Sequence, residues 1–151
     1  MNELVFTLPW PPSINSMYSQ GIIGGVHKKA RASMFLSQRG KDYRVEAMVA
    51  IANQRVAKGA LKGRLKVSAI AYPPDARVRD LDNLWKSALD VLKHNQVITD
   101  DGYIDDLHVR RAHQVVGGSF AISISEIAEA FESRQQGLAI EPPKFGTAPL
   151  F

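Results

Sequence analysis

RVRDLDNLWKSALDVLKHNQVITDDGYIDD, residues Arg77–Asp106, decides how the chain is read. Leu81, Leu84, Ala88, Leu89 and Leu92 recur at helical spacing, which predicts a helix from about Leu81 to Lys93 with one apolar face. Asn95 is a suitable stop. Asp80 stands where the N-cap belongs, and Asp82 falls in the first turn. Inside a regular helix, residues two apart point about 200° from each other and cannot share an ion. At a helix start the first residue is still non-helical. Both carboxylates can then turn to one side, where the helix dipole tolerates them. Lys86 lies four residues past Asp82, on the same face. That pair has two readings: an ion pair worth roughly 0.2–0.5 kcal/mol to the helix, or a lysine steadying charge beside a bound phosphate.

Asp100 and Asp101 form a second acidic cluster in TDDGY, with Asp105 and Asp106 beyond it. This is either an Asp-rich turn or, if it folds back toward Asp80, part of a site where three or four carboxylates meet. Like charges resist such a meeting. A hard divalent cation such as Mg²⁺, which prefers oxygen ligands, would offset the repulsion.

Outward from this stretch, NELVFTLPW alternates as a strand and PWPPS ends it. INSMYSQGIIGGVHKKARAS reads as a long loop loosened by Gly21, Gly24 and Gly25. A helix is expected from about Ser33 to Ala57, with KGALKG as its stop. RLKVSAIAYPP reads as a strand of about eight residues. LHVRRAHQV and SFAISISEI flank Gly117-Gly118 and read as a hairpin. The expected order is β-α-β-α-β-β: a single α+β domain with a small mixed sheet packed with helices. It covers residues 1–130, and 131–151 form a loosely held C-terminal extension.

Charge is unevenly spread over the 151 residues, whose net charge is +4. From Lys28 to Lys66, eleven Lys or Arg face two acids; from Asp75 to Arg111, eight Asp face six Lys or Arg. A basic half beside an acid-rich middle is either a solvated helix face or a surface for a polyanion. No apolar run is long enough for a membrane span. No basic region, apolar stretch and cleavage site open the chain. With no cysteine, thiolate and disulfide chemistry are excluded, which fits the cytoplasm. The glycines of GIIGGV match neither a phosphate-binding loop nor a dinucleotide fingerprint, so no nucleotide cofactor is expected. The acids do not follow a calcium-loop pattern, and the four histidines lack zinc-ligand spacing.

In combination, FTLPWPPSINSMY, RDLDNLWKSALDVL and ITDDGYIDDLHVRR resemble the RusA family of Holliday-junction resolvases over roughly residues 3–126. The resemblance implies a homodimer, from a bacterium, phage or prophage, that nicks four-way DNA junctions symmetrically in recombination and repair, using Mg²⁺ with Mn²⁺ able to substitute. It implies that Asp80, Asp82 and Asp101 are the essential carboxylates and Lys86 the catalytic lysine, with Asp100 a further candidate ligand. It adds Asn15, Arg79 and Asn83 as DNA-placing residues. His27, Lys28, Lys29, Arg31, Arg110 and Arg111 are the basic candidates for phosphate contact. Two alternatives stand beside this reading: a nuclease for other branched DNA, and a junction-binding protein that does not cut.

Overall fold

The computed structural model describes residues 2–26 and 29–127. The elements follow as β1 (Glu3–Leu8), α1 (Ile14–Met17), β2 (Tyr18–Ile23), β3 (Arg31–Leu36), α2 (Gln38–Asn53), β4 (Leu65–Tyr72), α3 (Leu81–His94), a single 3₁₀ turn (Asp101–Tyr103), β5 (Ile104–Arg111) and β6 (Ser119–Glu126). Four strands form a mixed sheet in the order β1-β6-β4-β5, and β2 and β3 make a separate two-stranded ribbon. The α+β class and the mixed sheet are as the sequence implies.

β4, α3 and β5 form a βαβ unit: β4 and β5 are parallel, joined by the long segment that holds α3. Parallel neighbours need such a crossover. β6 then pairs antiparallel with the other edge of β4 and with β1. Alternation along these strands gives the sheet one apolar face. The registers Phe6↔Ile122 and Ala69↔Ile122 stack Phe6, Ile122 and Ala69 into one row, and Leu8, Phe120 and Ala71 into the next. Tyr43, Ala47 and Ile51 of α2 and Trp85, Ala88, Val91 and Leu92 of α3 cover these rows. Each large side chain buried there stabilises the fold by about 1.5–3 kcal/mol. Alanines at 69 and 71 leave room for the helices, and the Trp85 ring lies 5.9 Å from that of Phe120.

Three expectations need correction. First, the stretch read as a loop is α1 followed by the β2–β3 ribbon, so the element order is longer than β-α-β-α-β-β. Most of the ribbon's side chains are exposed, so no core selects a clean alternation. Gly21 does not loosen the chain: the Phe35 ring lies where its Cβ would be, at 2.8 Å. Second, α2 starts later and ends earlier than expected. Its N-cap is Ser37, whose Oγ accepts from the Gly40 N–H at 2.9 Å, because Arg31–Leu36 is held as a strand against β2. Third, β5 and β6 are not a hairpin, since β4 lies between them. Residues 112–118 cross the end of β4 instead. The Ala112 N–H donates to Ala71 O and the Val115 N–H to Pro73 O, both at 2.9 Å.

The crossing ends at Gly117 and Gly118, whose φ values are +78° and +71°. At Gly118 a Cβ would also lie 2.9 Å from Trp10 Cβ and 3.0 Å from Pro74 Cδ. Gly118→Ala therefore combines left-handed backbone strain with a clash. We expect a loss of about 2 kcal/mol or more, read as a lower urea midpoint at unchanged slope. An unchanged midpoint would show that the crossing is not held as described.

Candidate active site

Asp80 occupies the N-cap position of α3 with extended backbone (φ −80°, ψ 125°), yet its side chain makes no capping hydrogen bond. Its carboxylate is exposed and accepts only a long contact, 3.4 Å, from Asn83 Nδ2 among the described residues. Asp82 is exposed in the first turn. Lys86 is exposed one turn on and forms no ion pair with Asp82. The helix-supporting uses of these side chains, cap and ion pair, are thus not made. Asp90, two turns beyond Asp82, is occupied differently: it accepts the Tyr18 hydroxyl.

The start of α3 opens onto a groove of about 760 Å³. One wall is the proline turn and α1, with Trp10, Ser13, Asn15 and Ser16; the other is Arg77, Val78, Arg79, Asp80, Asn83 and Leu84, and Arg39 adds a cation, while Asp82 and Lys86 are not among the lining residues. Asn15 and Asn83 line the same groove as Asp80. Arg79 lines the groove too, but it is tied down. Its Nη1 and Nη2 donate to the two oxygens of Asp75 at 2.7 and 2.9 Å, and its guanidinium lies 5.7 Å from the Trp10 ring centre. Arg77 grips the same carboxylate. Hydrogen bonds from Arg79 and then Arg77 hold the Asp75 carboxyl well below the usual carboxylate range.

The second acidic cluster does not reach this groove. Asp100 accepts from the Gly102 N–H at 2.8 Å and caps the 3₁₀ turn. Asp101 pairs with Lys93 in the last turn of α3, at 3.2 Å. Asp80 and Lys93 stand at opposite ends of a 14-residue helix, which is about 21 Å long at 1.5 Å per residue. Among the described residues no three His, Asp or Glu come together to hold a metal ion. Of the two readings of TDDGY, the Asp-rich turn is the one seen within one chain: Asp100 caps it and Asp101 pairs with Lys93. The return segment is spent on Lys93 and on the start of β5.

Of the basic candidates, Arg110 and Arg111 fall on opposite faces of the sheet. Arg111 is in register with Ala71 on the helix side, and Arg110 with Ile70 on the other. Arg111 Nη2 donates to Arg79 O, which ties it to the groove wall. Lys29 and Arg31 are exposed at the far end of the ribbon and do not line the groove. His27 and Lys28 lie outside the described residues, as does the extension from 131 to 151. Sequence reading missed Trp10, Arg39, Asp75, Arg77 and Lys93. The alternation of Arg77 and Arg79 before Asp80 was a visible signal; the partners of Asp75 and Asp101 were not.

Asp80, uncapped and without an ion pair among the described residues, shares the groove with Asn15, Asn83, Arg39, Arg77 and Arg79. Comparison with known proteins gives the family. The family model "Endodeoxyribonuclease RusA" matches residues 9–125, and the chain belongs to this family. A crossover junction endodeoxyribonuclease of Enterobacteria phage HK97 is 36% identical over 127 residues, covering 84% of this chain and 98% of the phage protein. Its counterparts in Shigella sonnei and Escherichia coli K12 are each 34% identical over the same shares.

The Lys93–Asp101 pair makes a prediction. Lys93 lowers the Asp101 pKa, chiefly through its hydrogen bond. The pair's contribution is fully present above the ordinary carboxylate value of about 4 and is lost as pH falls through the depressed folded value. Lys93→Met should raise the Asp101 midpoint toward the ordinary value in a carboxyl NMR titration. An unmoved midpoint would contradict the pairing.

Proposed function

We propose that this protein resolves four-way DNA junctions by metal-dependent phosphodiester hydrolysis in recombination and repair, as a homodimer acting in the cytoplasm of a bacterium. The observation that carries this is Asp80 at the start of α3: an exposed carboxylate with no capping hydrogen bond and, among the described residues, no ion pair, lining a groove with Asn15, Arg39, Arg77 and Arg79, while Asp82 is exposed in the first turn beside it. Its relatives' name, crossover junction endodeoxyribonuclease, supplies the branched substrate.

The donor set fits a hard cation. Asp80 and Asp82 offer unneutralised oxygens, which suit Mg²⁺, with Mn²⁺ as a substitute. Such an ion would polarise the phosphodiester and lower the pKa of a bound water. Asn83 orients Asp80. Lys86, which has no ion pair among the described residues, is free to face the charge that develops on the phosphate. Arginines of the groove position the backbone, and base identity is left unread at these contacts.

A third carboxylate is missing from the pair within one chain, and we assign it to the partner subunit's Asp101. A second copy also has a surface to use. Ile22 and Met34 of the ribbon and Val45, Met48 and Val49 of α2 are exposed apolar side chains. A two-stranded ribbon is marginal in water on its own, so burying it against a copy would stabilise it. Asp100, which caps its own turn, is the weaker candidate ligand.

Synthetic four-way junctions and linear duplexes test this reading. The wild-type protein with Mg²⁺ should place paired nicks in the junction and leave the duplex intact. Asp82→Asn should cut slower by roughly 100-fold or more, since even supporting residues of metal sites cost 10–100-fold. Undiminished cutting by the variant would sink the assignment. Junction retention by the wild type without cutting, in Mg²⁺ and in Mn²⁺, would leave a binding protein. Equal cutting of flaps and other forks would leave a less selective nuclease.

A further inference from the structure

Two arginines share one carboxylate at the mouth of the groove, and they are not equivalent. Asp75 Oδ1 accepts from the Arg77 N–H at 2.9 Å and from Arg79 Nη1 at 2.7 Å. Oδ2 accepts from Arg77 Nε and Nη2 at 3.1 and 2.8 Å, and from Arg79 Nη2 at 2.9 Å. Arg79 is largely consumed. Its Nη1 also reaches Arg77 O at 3.2 Å, its guanidinium lies over Trp10, and its side chain is only 20% exposed. The Arg77 side chain is 78% exposed, and its Nη1 has no hydrogen-bond partner among the described residues. Arg77 also stands on a ridge. It lines the groove that leads to Asp80 and a second groove with Pro73, Arg111, His113 and Gln114.

Resting on the junction-binding reading, we propose that Arg77 is a phosphate-contacting residue and that Asp75 is its positioning residue. The carboxylate fixes the guanidinium through two donors, Nε and Nη2, that converge on one oxygen, Oδ2. It leaves the Nη1 edge pointing outward for a DNA backbone crossing the ridge. Arg79 is then the anchor of this arrangement, holding Asp75 against Trp10, rather than the group that meets DNA first. A side chain held in advance does not lose its rotamer freedom on binding, which is worth a few-fold in affinity.

The sign of the effect at Asp75 separates this from simple charge. Removing a negative charge beside DNA should tighten binding if only the net field matters. If Asp75 positions Arg77, the same change weakens binding. The test is junction affinity without divalent metal, measured across a range of salt for the full chain. Arg77→Ala should weaken binding and reduce the slope of log affinity against log salt by about 0.9, one phosphate contact. Asp75→Asn should weaken binding by about 5-fold even though it removes a negative charge. Asp75→Asn added to Arg77→Ala should cost nothing further, because its target is gone. Arg77→Lys, which cannot be gripped at two points, should not restore wild-type affinity. The exposed Arg77 substitution does not depend on the fold tolerating a change at Asp75.

Unchanged or tighter binding by Asp75→Asn, or an unchanged salt slope in Arg77→Ala, would overturn the inference while the junction reading stood. A wild-type protein without affinity for the junction would sink that reading and this inference together.

Discussion

The site rests on the rigidity of α3. Its N-terminus presents Asp80 to the groove with Asp82 exposed in the first turn, and its last turn holds Asp101 through Lys93. A helix of 14 residues cannot bend its two ends together, because its hydrogen bonds fix a rise of about 1.5 Å per residue. The buried face of Leu84, Trp85, Ala88, Val91 and Leu92 sets the helix against the sheet. The acids are therefore held at fixed places relative to the core. They are kept apart within one chain, so a site built from both ends of α3 needs two copies.

The groove depends on the topology beside that helix. Because β4 separates β5 from β6, residues 112–118 must cross the end of β4, and Gly118 comes to rest against Trp10 and Pro74. Trp10 forms the groove wall and lies under the Arg79 guanidinium. Pro74 precedes Asp75, which gathers Arg77 and Arg79. Arg111, at the end of β5, closes the circuit by donating to Arg79 O. The crossing loop, the proline turn and the Asp75–Arg79 segment are thus one packed unit leading to Asp80.

What could be read in advance follows the strength of local physics. α3 was legible because its apolar face is wide and Asp80 and Asn95 mark its ends. β4 was legible because its alternation ends in Pro73 and Pro74. The ribbon was not, since Tyr18–Ile23 and Arg31–Leu36 are mostly exposed and the first carries Gly21. Gly117-Gly118 marked a real turn, but a pair of glycines does not say which strands it joins. That Asp80 stands at the start of α3 with Asp82 in its first turn was legible from spacing. The fork at Asp75 and the Lys93–Asp101 pair were not, because both depend on side-chain geometry.

Mixing subunits tests the central claim most directly: that a working site combines Asp80 and Asp82 of one copy with Asp101 of the other. Asp82→Asn and Asp101→Asn homodimers should each fail to cut four-way junctions. After subunit exchange the mixed dimer has one site with every acid intact and one that lacks both substituted groups. The account predicts that junction nicking returns on mixing, at one strand per dimer. No recovery, with exchange confirmed by two distinguishable tags, would contradict it.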